Sequence, residues 1–115
     1  MILLGKSKIK VENSKFFGYF FEIENKLEIE KCLEKVKNFH KKFTHCCYAF
    51  QIKKEFSFKN DGEVGNPGKI LLDILEKNNF EKNLLIVIRI FGGKKLGPAR
   101  VGKAFRESAN QAIDF

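Results

Sequence analysis

Leu84-Leu85-Ile86-Val87-Ile88-Arg89-Ile90-Phe91-Gly92-Gly93-Lys94-Lys95-Leu96-Gly97-Pro98-Ala99-Arg100 is the stretch on which the reading of this chain turns. Its first seven residues are apolar except for Arg89 and rich in β-branched side chains, the pattern of a buried strand too short to stand as a helix. Gly92-Gly93 then frees the backbone for positive φ, and Gly97-Pro98 opens a new element with Pro98 suited to the first helical position. In the helix that follows, Val101, Phe105, Ala109 and Ala112 fall on one stripe and Arg100, Lys103, Glu107 and Asn110 on the other.

Strand, glycine-rich turn and helix N-terminus together form a local geometry that binds anions, because unpaired backbone N–H groups point outward and the helix dipole adds partial positive charge. The candidate anion or nucleic-acid contacts are therefore Gly92, Gly93, Lys94, Lys95, Gly97, Arg100 and Lys103. The chain's arginines, Arg89, Arg100 and Arg106, all lie between Leu84 and Ala112, and arginine is the side chain best shaped for bidentate phosphate contact. The competing reading is a tight left-handed turn with solvated lysines.

Working outward, 115 residues give room for one domain, residues 1–115, with one core. A net charge of +8 favours an acidic partner such as RNA, DNA or the ribosome, although an excess of lysine also serves solubility. Cys32, Cys46 and Cys47 form no zinc spacing. An odd cysteine count with no signal-peptide pattern and no long apolar run implies a reducing cytoplasmic setting and no membrane insertion. No metal and no cofactor is expected.

Upstream, Met1 to Val11 reads as a strand with Gly5 as a bend, and Lys15 to Ile23 as a second strand with Phe17, Tyr19, Phe21 and Ile23 on one face and Phe16, Gly18 and Phe20 on the other. Such a phenylalanine stripe can stack bases, as in single-strand-binding sheets; it is read here as core, because the helices need a sheet face to cover. Asn25 and Glu28 resemble a capping box for a helix over residues 26–42, with Ile29, Leu33, Val36, Phe39 and Phe43 as its apolar stripe. A strand from Thr44 to Ile52 and a short partner at Phe56-Ser57-Phe58 follow. Asn66-Pro67 is an N-cap and first-turn pair for a helix over residues 68–77.

Three further side chains could carry chemistry. His45 could carry protons, and Asp61 and Glu63 could act as an acid–base pair or hold a metal; plain turn chemistry at Asp61-Gly62 is the simpler reading. Neither cysteine near His45 has an evident orienting partner in the sequence, so no thiol nucleophile is assigned.

Ser14-Lys15-Phe16, Thr44-His45 with Tyr48-Ala49, Asp61-Gly62-Glu63 with Gly68 ahead of Leu71, and Arg89 with Gly92-Gly93, Leu96-Gly97-Pro98 and Arg100 occur in an order that resembles the IMPACT family. That family includes eukaryotic translation regulators and bacterial YigZ-like proteins, and the resemblance covers residues 14 to 112. It implies an α+β fold with a mostly antiparallel sheet and helices packed on it, the ribosomal protein S5 domain 2-like fold. The resemblance leaves no room in this sequence for the family's second domains, so a kinase-regulating role is not carried over. The leading expectation is a non-catalytic, translation-associated domain that binds RNA, the ribosome or a protein partner through the basic turn and helix N-terminus. The alternative is an enzyme acting on a phosphorylated small molecule or peptide-like substrate with His45, Asp61 and Glu63.

Overall fold

A computed structural model describes residues 1–114. The strands are β1 (Ile2–Val11), β2 (Ser14–Glu22), β3 (His45–Ile52), β4 (Glu55–Lys59) and β5 (Lys82–Ile90). The helices are α1 (Leu27–Phe39), α2 (Pro67–Lys77) and α3 (Pro98–Ile113). The strands form one antiparallel sheet in the order β1-β2-β5-β3-β4, so the fold is α+β as expected.

Its centre is β5, with β2 on one side and β3 on the other. Leu85 and Val87 face the core under α2 and α3, while Leu84, Ile86 and Ile88 face the core under α1. A strand covered on both faces needs apolar residues at every position, which is why this segment lacks the alternation of a half-exposed strand. The phenylalanines of β2 divide in the same way: Phe16 and Phe20 join the α2–α3 core, and Phe21 and Ile23 the α1 core. Phe17 and Tyr19, on the α1 face of the same strand, are only half-buried. In β1 the register shifts between Leu3 and Gly5, at the expected bend, and Ser7 Oγ donates to the Ser108 carbonyl at 2.6 Å, tying the edge strand to α3.

The start of α1 uses the expected residues in a displaced form. Asn25 Oδ1 accepts the Leu27 N–H at 3.0 Å, and Glu28 reaches back to the Glu24 N–H at 3.1 Å. Its end departs from expectation: the helix stops at Phe39, which is 73% exposed, and not at residue 42. His40 takes the place on the sheet that the spacing assigned to Phe39. Its ring packs on Phe17 with centroids 4.3 Å apart, and its Nε2 shares a hydrogen bond with the Tyr19 hydroxyl.

Burial lowers the pKa of His40 below its usual value. The unfolded chain therefore takes up the proton first, so the stability contributed by neutral His40 is complete above about pH 6.5 and is lost as pH falls below it. The difference in Tm between the wild type and His40→Gln is expected to narrow from pH 7.5 to pH 5. A difference that stays constant across that range would contradict a half-buried neutral ring.

Candidate functional site

The loop between β4 and α2, the start of β3, the end of β5 and the turn before α3 meet at one end of the sheet. Arg89 is the one charged side chain in the apolar run of β5, and burial of an unpaired guanidinium would be costly. At 5% exposure its Nη1 donates to both carboxylate oxygens of Glu63, at 2.9 and 3.0 Å. Nη2 donates to Ser14 Oγ at 3.3 Å, and the guanidinium lies between the rings of Phe16 and Phe91. Ser14 Oγ also accepts the Gly92 N–H at 3.1 Å, so one buried network joins the β1–β2 turn, the end of β5 and the loop that carries Glu63.

That loop owes its shape to Asn60. Its carbonyl accepts the Glu63 N–H at 3.0 Å, and its side-chain Oδ1 caps α2 by accepting the Gly68 N–H at 2.7 Å. Asn66, expected to be the capping side chain, has a left-handed backbone with φ of 53°, and its Oδ1 instead accepts from the Asn60 amide. The cap has thus moved to a residue eight positions upstream of Gly68.

His45, Asp61 and Glu63 do come together, in unequal roles. His45 Nδ1 lies 2.8 Å from the Asp61 carbonyl, which can only accept, so Nδ1 carries hydrogen and Nε2 faces Glu63 at 3.7 Å. The Asp61 carboxylate accepts the Cys46 N–H at 2.7 Å and serves the backbone. Glu63, whose side chain is 2% exposed, is committed to Arg89. Of the three, only the His45 ring presents to the pocket a nitrogen, Nε2, that is not committed to a hydrogen bond. Cys46 and Cys47 face opposite cores, and burial pushes the Cys46 thiol up to about 11 and that of Cys47 higher still, so neither supplies a thiolate. Among the described residues no group of three His, Cys, Asp or Glu side chains could hold a metal ion.

A pocket of about 480 Å³ opens beside this network, lined by residues that include His45, Glu63, Arg89, Phe91, Lys95 and Gly97. Gly97, with φ of 81°, precedes α3, and among the described residues no side chain caps the start of that helix. Lys95, Arg100 and Lys103 are exposed and make no ion pair among the described residues. The other residues of the basic turn are differently placed. Lys94 pairs with Glu12, and its hydrogen bond lowers the pKa of that carboxyl group. Gly92 spends its N–H on Ser14, and Gly93 is exposed with φ of 92°. Sequence reasoning missed the parts played by Ser14, by Thr44, whose Oγ1 accepts the Phe91 N–H at 2.8 Å, and by Phe91. The available signal was Arg89 itself, since a lone arginine in a buried strand requires a carboxylate from elsewhere.

The model of the Impact N-terminal domain matches residues 12–113. This chain belongs to that family. IMPACT family member YvyE of Bacillus subtilis (strain 168) is 26% identical over 114 residues, an alignment covering 96% of this chain and 52% of that protein. A crystal structure of a hypothetical protein superposes with a TM-score of 0.86 at 24% identity, over 98% of this chain and 59% of the other. The two-domain translational regulator Yih1 superposes with a TM-score of 0.59 at 22% identity, over 97% and 46%. This IMPACT-family chain thus spans about half the length of the relatives it matches. Among the described residues no helix is long and apolar enough to cross a membrane.

Proposed function

We propose that this domain is the binding part of a translation-associated regulator and holds phosphate groups of RNA at the start of α3. The observation that carries the reading is the uncapped N-terminus of α3, flanked by a pocket and by the unpaired side chains Lys95, Arg100 and Lys103. The first-turn N–H groups orient an anion there and the side chains add charge; neither reads base identity. The translational role is supported by the fold shared with Yih1 and by family membership. A net charge of +8 suits an RNA or ribosomal partner.

The test is equilibrium binding to a mixed-sequence single-stranded RNA across a salt series, where the slope counts phosphate contacts at about −0.7 each. Charge-assisted hydrogen bonds contribute about 1.5–3 kcal/mol each, so reversing Lys95, Arg100 and Lys103 to Glu should weaken binding by tenfold or more, roughly, at low salt. An equal loss from Lys31→Glu with Lys35→Glu, on the exposed side of α1, would overturn the localised site.

A second reading has its own observation, the free His45 Nε2 facing Glu63 in the same pocket. An enzyme acting on a phosphorylated substrate would use His45 as the proton carrier and the α3 N-terminus as the anion hold. Hydrolysis of p-nitrophenyl phosphate that disappears in His45→Gln, with RNA binding retained, would favour it.

A further inference from the structure

On the sheet face opposite α3, a groove of about 530 Å³ runs between the β1–β2 ladder and the end of α1, lined by residues that include Lys6, Lys8, Phe17, Tyr19, Phe39 and His40. The β1–β2 face that forms its floor, and continues past it, has a regular order. Lys10 pairs across the strands with Lys15, Lys8 with Phe17, and Lys6 with Tyr19. Directly opposed residues share a face, so lysines and aromatic rings stand side by side at a repeat of roughly 7 Å along the strand. Lys8 Nζ already lies 5.7 Å from the centre of the Phe17 ring.

The aromatic part is rigid. Phe17 packs on His40, and the Tyr19 hydroxyl is hydrogen-bonded to that same ring. Phe39 at the rim is 73% exposed and contributes little to either core. Among the described residues no carboxylate lines the groove. An acidic or purely apolar partner would leave one of these features unused, whereas a flexible polyanion with flat bases uses both.

We propose that this groove is a track for single-stranded nucleic acid, with bases stacking on Phe39 and the Phe17–His40 pair and phosphates running along Lys6, Lys8 and Lys10. The track goes beyond the α3 site and does not depend on it, because it lies on the other face of the sheet and reads bases as flat surfaces. Stacking of this kind is tolerant of sequence and draws on the ring faces that every base has.

The experiment compares an RNA octamer with an abasic phosphodiester strand of equal length, using the whole chain. Phe39→Ala removes an exposed ring and should leave Tm unchanged. It is expected to weaken octamer binding about fivefold or more and to leave the abasic strand unaffected, in line with stacking contributions measured by alanine substitution. Lys6→Glu with Lys8→Glu should weaken both strands and flatten the salt dependence. Reversal of Lys95, Arg100 and Lys103 would also weaken both strands, so loss confined to the base-bearing octamer separates the groove from the α3 site. Equal octamer affinity for the wild type and Phe39→Ala, or no octamer binding at low salt, would overturn the proposal.

Discussion

Arg89→Met is expected to destabilise the domain by about 3–5 kcal/mol, the cost of removing one partner from a buried ion pair. The Glu63 side chain is 2% exposed and would keep only the Val64 N–H, at 3.0 Å, and the distant His45 ring as polar neighbours. The loss comes from the stranded carboxylate more than from the pair's own attraction, since two charges taken out of water recover little net free energy from each other. The double variant Arg89→Met with Glu63→Gln should therefore recover part of the loss. Urea denaturation with an unchanged m-value provides the measurement. A double variant as unstable as the sum of the singles would show that the two side chains act separately.

The second large effect is expected at Gly92. A Cβ added there would lie 2.1 Å from the Asn13 carbonyl carbon, 2.3 Å from its oxygen and 2.4 Å from the Ser14 nitrogen. All three atoms are backbone, in a turn where Glu12 and Asn13 both hold positive φ, so no side chain can swing aside to relieve the clash. Relief requires the turn to move, which would also disturb the Gly92 N–H to Ser14 bond and through it Arg89. Gly92→Ala should cost about 3 kcal/mol, the upper end of the range for overpacking. Gly93→Ala meets open space and pays only for its φ of 92°, about 1–2 kcal/mol. Thermal unfolding of the two variants checks the order; equal losses would mean that the close approach of the two turns does not constrain the fold.

These two positions also mark what could be read in advance. β5 and α3 were legible because burial on two faces and burial on one stripe leave different periodic patterns, a continuous run in one case and the spacing of Val101, Phe105, Ala109 and Ala112 in the other. The place of β5 between β2 and β3 was not, because strands adjacent in sequence give no sign that a later strand will separate them. The convergence of Glu63 on Arg89, 26 residues away, depends on the loop closing over the sheet end, and local sequence shows only that Arg89 needs some partner. The exchange of Phe39 for His40 at the end of α1 has a similar origin. Hydrophobic spacing favours the phenylalanine, but the half-buried Tyr19 and Phe17 of β2 offer a hydroxyl and a ring face that suit an imidazole. Gly92 reads from the sequence as a turn residue beside an anion site, whereas in the fold the neighbouring backbone is what constrains it.

The most direct test of the phosphate site follows backbone amide resonances of the whole chain during titration with the abasic phosphodiester strand, which carries phosphates and no bases. If phosphate is held at the start of α3, the amides of Gly97, Ala99 and Arg100 should shift and saturate together, with those of Lys31 and Lys35 nearly still. Shifts spread evenly over exposed lysines such as Lys31 and Lys35, with the α3 amides unmoved, would contradict it.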